Sequence, residues 1–409
     1  MKGSRTLRGA VAVAFLAIGA LMAKEIAAIG LAEAAVDAGL ASYAHQFRPA
    51  NARAAALLAE QQFRANEGAA AERLAVAAIA ASPIEVVAVR TLGQAREARA
   101  RGDGRELMLL AARLGWRDRP TQLWLIEQAL LAGEIEVALQ RAEAMVRLQR
   151  DRELVFSMLR LLAMSPDNRR GLVRSLAANP FWRDKFLSPD EKTSYPQLVA
   201  MARLLEDLNR TASPPTLRDA RFTIDGLVET GHFNEAGRLH ALLFPQPGPN
   251  LAFDGAFERG GSDYRPGSAA SSFDWLIFDA DLSTAAIERE VGRDNRLLYA
   301  VAEGVTGGRL TQQNRALPPG SYSFSYRMRS DDRAAPQRLR WIVRCATGGA
   351  PLLEMSAAPL RSAGWERRAG RFTVPRGCEG QVLDLSAYPE AGGRPSVAYF
   401  DDVVLSRVG

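Results

Sequence analysis

The side chains best placed to do chemistry are arginines near the C-terminal end. Tyr322, Phe324, Tyr326 and Met328 alternate with Ser323, Ser325, Arg327 and Arg329, and Leu339, Trp341, Val343 and Cys345 alternate with Arg340, Ile342 and Arg344. A period of two marks half-buried antiparallel strands, apolar side in and polar side out. If the two runs pair as a hairpin, Ser325, Arg327, Arg329, Arg338, Arg340 and Arg344 share one solvent-facing surface. Such a surface is either balanced by acids on adjacent strands or takes an anionic ligand, such as an acidic polysaccharide, on forked guanidinium donors. Residues 246–409 hold 20 arginines against 19 aspartates and glutamates, which favours balance.

Other chemistry is scarce. No acid pair stands in the setting that glycoside hydrolysis needs, and nucleophile elbows, phosphate loops and zinc signatures are absent. His45, His232 and His240 are the only histidines and have no ligand spacing. The chain therefore reads as non-enzymatic. Cys345 and Cys378 are its two cysteines, both in the C-terminal part. In an oxidising compartment they are expected to pair, with two buried free thiols as the alternative.

Positioning these residues is the work of a 409-residue chain, long enough for two or three domains. Its net charge of +6 comes almost wholly from scattered arginines, with Lys2, Lys24, Lys185 and Lys192 the only lysines, so no nucleic-acid footprint is visible. Lys2, Arg5 and Arg8 precede an uncharged apolar run from Gly9 to Ala23. That pattern makes residues 1–24 a signal peptide or N-terminal membrane anchor, with cleavage left open, and places the chain in the periplasm, attached to the inner membrane. A buried first helix is the alternative.

Residues 25–245 show amphipathic stretches of about a dozen residues broken by Pro, Gly and Asp, the pattern of an all-α region. Leu123 to Leu131, a Gly133-Glu134 turn and Ile135 to Val146 read as one helical hairpin, and similar units recur every ~33–36 residues. With Ala129, Gly133, Ala138 and Ala142 at the close-packed positions, the region resembles tetratricopeptide repeats. A stack of this kind implies a concave surface that holds a protein partner, or else a plain spacer. Helices are also expected near 197–209, 217–229 and 234–244.

Pro245-Gln246-Pro247-Gly248-Pro249 cannot continue a helix and marks the boundary of a β domain over 246–409. Further strands are expected at 297–301, 366–374, 381–385 and 397–405. The opening Asn250-Leu251-Ala252-Phe253-Asp254-Gly255-Ala256-Phe257-Glu258, then Phe273-Asp274-Trp275, Leu317-Pro318-Pro319-Gly320-Ser321-Tyr322 and the closing Tyr399-Phe400-Asp401-Asp402-Val403-Val404-Leu405 together resemble the jelly-roll carbohydrate-binding modules found beside xylanases. The fold class is thus α-helical hairpin repeats followed by an antiparallel β-sandwich. The resemblance implies a structural calcium held by Glu258 and Asp402, with Asp401 as the other candidate ligand; carboxylates that only solvate strand ends are the alternative. It also implies sugar stacking on aromatic faces. Trp341 and Trp275 share parity with core residues, leaving Tyr264, Trp365 and Tyr388 as candidate contacts, together with the Arg327, Arg329, Arg340 and Arg344 face. The expected role is a non-catalytic accessory in envelope or exopolysaccharide production or export. A protein scaffold whose sandwich binds no sugar is the alternative.

Overall fold

The computed structural model describes residues 3–408 except 101, 148–151, 189–192, 247, 260–269, 279, 281, 291, 304, 306, 331–337, 358–359, 361–363 and 390–394, and it leaves out the side chains of 3–15. The chain forms two compact units, Met1–Arg150 and Asp151–Gly409.

The first unit is helical: α1 (Gly3–Asp37), α2 (Ala41–Phe47), α3 (Ala52–Arg64), α4 (Gly68–Ala81), α5 (Val86–Arg99), α6 (Arg105–Leu114), α7 (Arg119–Leu131) and α8 (Ile135–Arg147). The pairs α3/α4, α5/α6 and α7/α8 are the expected hairpins. Asn51 and Asp118 start α3 and α7 by accepting from the backbone N–H of Ala54 and Thr121, which satisfies donors a helix start leaves open. Alanine dominates the seams, so helices approach closely: Ala55, Ala56, Ala78 and Ala88 form one buried cluster. Between α5 and α6 the backbones nearly touch, since a Cβ on Gly104 would lie 1.9 Å from the carbonyl oxygen of Gly93. Arg90 is buried in this stack and bridges Glu60 at 3.1 Å and Asp118 at 3.0 Å, tying α3 and α5 to the start of α7. Among the described residues no helix is long and apolar enough to cross a membrane. Leu16, Leu21, Ile26 and Leu31 on α1 are exposed. The Lys2, Arg5, Arg8 and Gly9 segment lies mostly outside the described side chains.

The second unit holds α9 (Arg152–Ala163), α10 (Pro166–Ala177), α11 (Arg183–Leu187), α12 (Tyr195–Leu208), α13 (Leu217–Glu229) and α14 (Phe233–Leu243), then ten strands. Secondary structure switches after α14, as the proline-rich linker requires, although the later helices group with the strands rather than with the first eight. The reason is a packed seam. Ser272 donates its backbone N–H to Asp225 of α13 at 2.7 Å, and Gly237 of α14 sits so close that a Cβ there would meet Ala316 at 2.8 Å. His240 lies edge-on to Phe253 at 4.6 Å and stacks on Phe273 at 5.5 Å.

The strands are β1 (Leu276–Ile277), β2 (Thr284–Arg289), β3 (Arg296–Ala302), β4 (Gly308–Arg315), β5 (Gly320–Arg329), β6 (Leu339–Cys345), β7 (Leu353–Ser356), β8 (Glu366–Val374), β9 (Gln381–Ala387) and β10 (Ser396–Arg407). They form two antiparallel sheets, β1-β4-β9-β6-β7 and β2-β3-β10-β5-β8. The expected β-sandwich is present, with the interior filled by Trp275, Trp341, Phe324, Tyr326 and Phe400. Trp341 packs edge-on to Trp275, Phe324 and Phe400 at 5.6–5.8 Å, an arrangement that satisfies the ring quadrupoles.

One expectation fails. The runs 322–329 and 338–345 are not a hairpin: β5 pairs with β8 and β10, whereas β6 pairs with β7 and β9 in the opposite sheet. Both runs point their apolar residues into the shared core, so alternation is the same either way, and only the pairing partner distinguishes the two arrangements. Arg338 is buried beside β6, donating to the Tyr388 carbonyl at 2.9 Å, and belongs to neither outer face.

The chain enters the sandwich through a clamp. Asn250 donates to the Val403 carbonyl and accepts from the Leu405 N–H, both at 2.9 Å, while Leu251 donates to the Leu405 carbonyl at 2.7 Å. At the other sheet, Cys345 at the end of β6 is bonded to Cys378, with Cα atoms 5.5 Å apart, as expected from the cysteine pair. In the chain-entropy view, closing a loop of this size stabilises by roughly 3–4 kcal/mol.

Candidate functional site

Because β5 and β6 lie in different sheets, the expected arginine face divides. Arg327, Arg329 and Trp365 stand on the outside of β2-β3-β10-β5-β8, and Arg340, Arg344 and Tyr388 on the outside of β1-β4-β9-β6-β7. Tyr264 lies outside the described residues.

The second face is built around an aspartate that the sequence reading missed. On β9, Leu383 and Leu385 enter the core, so Val382, Asp384 and Ser386 point outward. The register sets Asp384 between Gln312 of β4 and Ile342 of β6, and Ser386 beside Arg340. Asp384 has 0% exposure although it faces out, because its neighbours close over it. Arg344 reaches its carboxylate at 2.8 Å and Ser386 donates to it at 2.8 Å. Burial raises the carboxyl group above its ordinary value, against the opposing pull of the Ser386 hydrogen bond and of Arg344 and Arg309. Arg309 in turn bonds Gln312 and lies over the Phe278 ring at 5.8 Å. Arg340 pairs with Glu354 and stacks on Tyr388 at 4.0 Å. Donors and acceptors therefore alternate across four strands around an apolar floor of Ile342 and Val382, with aromatic rings at the margin. That mixture suits neutral hydroxyl groups, each of which both donates and accepts. Parity was the available signal: an acid between two core leucines on a strand must face out.

On the opposite face, Tyr399 of β10 stands between Tyr299 of β3 and Arg329 of β5. Arg329 lies over the Tyr399 ring at 4.1 Å, and Trp365 is flanked by Arg327 at 5.2 Å and Arg329 at 5.6 Å.

The proposed calcium ligands sit where β10 bulges, between Asp401 and Val404. Glu258 accepts from the Arg296 N–H at 2.9 Å, Asp401 accepts from Asn295 at 3.3 Å and from the Asp402 N–H at 2.7 Å, and Asp402 pairs with Arg327 at 2.9 Å. Burial is the main reason the Asp401 carboxyl group is raised. Among the described residues no three His, Cys, Asp or Glu side chains converge as a metal-holding group. The corner is nonetheless tight. Asp254, Phe257 and Asp402 have φ of 45°, 58° and 48°, and a Cβ on Gly255 would lie 1.9 Å from the Val403 carbonyl oxygen. Phe257 is held in this conformation by full burial against Trp275 at 5.4 Å. Burial pushes Asp254 up to about 6.

His232 stacks on Tyr195 at 3.7 Å, and His240 is buried with Asp274 at 3.8 Å.

No protein-family model matches the chain, and no curated protein is similar to it. Solved structures similar to it are mostly carbohydrate-binding modules. A CBM4 module is 19% identical over 34% of this chain and 88% of its own length, with a TM-score of 0.26. TmCBM61, solved in complex with β-1,4-galactotriose, is 14% identical over 39% of this chain and 100% of its own, with a TM-score of 0.27. The enzymatically active domain of tailspike protein 4 from bacteriophage CBA120 is 11% identical over 39% of this chain, which spans only 22% of that structure, with a TM-score of 0.28. The sandwich itself is defined by the strand pairing described above.

Proposed function

We propose that the sandwich is a non-catalytic glycan-binding module whose ligand lies across β4, β9, β6 and β7. The observation that carries this reading is Asp384: an outward-facing carboxylate, fully buried, held by Arg344 and Ser386 and bordered by the Arg340–Tyr388 stack. Keeping a carboxylate in such a place costs solvation, and the return in binding is that Arg344 and Ser386, which reach it from the surface, are held in fixed positions for sugar hydroxyls. The remainder of the reading follows the sequence. The exposed apolar residues of α1 support attachment to the inner membrane, and the oxidised cysteine pair supports a periplasmic setting. The hairpins of the first unit would then hold a protein partner, in envelope or exopolysaccharide production or export.

A second reading, a protein scaffold with no sugar ligand, is favoured by Trp116. Trp116 is 61% exposed beside Arg117, over a cleft also lined by Arg141, Ala144 and Met145. A glycan array with the full chain separates the two. Binding to a neutral glycan that Arg344→Ala or Asp384→Asn abolishes is expected, and no binding to any glycan would leave the scaffold reading.

A further inference from the structure

The turn between α6 and α7 holds an exposed tryptophan in a fixed place. Gly115 ends α6 against the start of α5, where a Cβ on it would lie 2.7 Å from the Val86 side chain. Asp118 then starts α7, capping it through the Thr121 N–H and gripped by the buried Arg90 at 3.0 Å. Its own backbone N–H closes the turn on the Gly115 carbonyl at 3.0 Å. Trp116 and Arg117 are the two residues between these anchors. A turn this short, pinned at both ends, keeps the ring at the surface with little backbone entropy left to lose, and Trp116 is 61% exposed.

The cleft beside it has a one-sided lining. Trp116, Ala144 and Met145 supply the apolar part, and Arg117, Arg119 and Arg141 bring charge of one sign, with no carboxylate. The acids nearest in sequence are engaged elsewhere, Asp118 by Arg90 and Thr121, Glu143 by Arg147. Arg117 lies over the Trp116 ring at 4.7 Å and Arg141 donates to Gln122 at 3.3 Å; neither is in an ion pair among the described residues. The cleft volume is about 40 Å³, room for one aliphatic side chain and far below the ~300–1,000 Å³ that encloses a small molecule.

This lining selects its occupant. A sugar hydroxyl donates as well as accepts, and the side-chain acceptor on offer, the Gln122 amide oxygen, is already held by Arg141. A carboxylate only accepts, and suits guanidiniums that have no acid of their own. A nucleic-acid strand brings charge, but its bases are too large for the recess. A peptide can bring a carboxylate and a single apolar side chain a residue or two apart, and tryptophan and arginine around a small recess are the usual anchors of protein interfaces.

We propose that this cleft binds an acidic segment of a partner protein, in which one Val, Leu or Ile side chain enters the recess against Trp116 and Met145 while a neighbouring Asp or Glu meets Arg117 or Arg141. Such binding rests on the reading that the first unit holds a protein partner, and needs nothing from the sandwich.

The test uses the full chain and fluorescence anisotropy with short labelled peptides in which Glu or Asp alternates with Val, Leu or Ile. Counterparts with Gln and Asn for the acids, counterparts with Ser for the aliphatic residues, and poly-dT serve as comparisons. At least one acidic, aliphatic peptide is expected to bind, less tightly as salt rises, and about tenfold or more weakly once its acids or its aliphatic residues are replaced. Trp116→Ala, and Arg117→Gln combined with Arg141→Gln, should each weaken it about tenfold or more, with Asp384→Asn without effect. Should either variant melt early, Arg117→Gln alone gives the same reading from an exposed position. Failure of every acidic peptide to bind overturns the proposal, as does equally tight binding of the amide counterparts, the serine counterparts or poly-dT. A random peptide library selected on the full chain separates the cleft from the broader reading. Binders that hold the Trp116→Ala chain just as tightly overturn the cleft and leave the first unit with a partner elsewhere, whereas a library that yields no binder counts against both.

Discussion

The two outer faces of the sandwich have similar numbers of arginines and place them differently. Across β4, β9, β6 and β7 each guanidinium is matched: Arg344 to Asp384, Arg340 to Glu354, Arg309 to Gln312. Across β5 and β8, Arg327 stands opposite Arg367 and pairs with Asp402 from the neighbouring β10, and Arg371 stands opposite Ser323. Net charge over the domain conceals this, because pairing is decided strand by strand. A face whose guanidiniums meet carboxylates and amides across neighbouring strands presents donors and acceptors side by side.

The comparison can be broken first at the core both faces share. Trp341→Ala should cost about 3–5 kcal/mol and loosen both sheets together, as read by urea melts. Next, replacing both cysteines with alanine should cost roughly 2–5 kcal/mol, with hydrogen exchange rising at β6 and β9 before β5 and β10. Arg344→Ala leaves Asp384 buried without its cation and should cost ~1–3 kcal/mol, since Arg344 is itself partly exposed; the loss should be largely recovered in the Arg344→Ala, Asp384→Leu double variant. Arg371→Gln, at an exposed position of β8, should change stability by less than ~0.5 kcal/mol in the same melts and serves as the reference for the Arg344→Ala loss.

Acidity separates the faces more gently. The Asp384 carboxyl group is raised by burial above the ordinary 3.8, so on acidification it gains its proton earlier than an exposed carboxyl would. Neutral-glycan binding should therefore begin to fall at a pH above 3.8, and a titration of affinity against pH, with Asp384→Asn as the reference, shows it. Arginine does not titrate in that range. A second pH effect lies at the seam. Burial lowers His240, so the unfolded chain takes up protons below 6.5 that the folded chain refuses, and stability should drop as pH falls through that value. His240→Phe should flatten this dependence in thermal melts.

Much of the fold was legible because alternation and helix caps are local. The span 366–374 is β8 as expected, and 217–229 is α13. What alternation cannot state is which sheet a strand joins, since β5 and β6 send the same apolar parity into one core from opposite sides. The face assembled from Arg327, Arg329, Arg340 and Arg344 therefore came apart, although each of these arginines does point outward. Asp384 was legible by the same parity rule yet was lost among the acids counted for balance. The corner of Glu258, Asp401 and Asp402 turned on long-range partners, Arg296 and Arg327, that no local pattern announces.

The entry clamp has a mechanical consequence. The chain arrives from α14 and is at once stitched by Asn250 and Leu251 to β10, so tension from the N-terminal side is delivered to the sheet that holds β10 and β5. A load on the Asp384 face would instead run into β6 and β9, where the Cys345–Cys378 bond prevents the strand end from peeling away. A sandwich gripped by polymer on the Asp384 face and held at its N-terminal end would thus carry the two ends of one pull through two separate sheets, meeting only in the aromatic core between them.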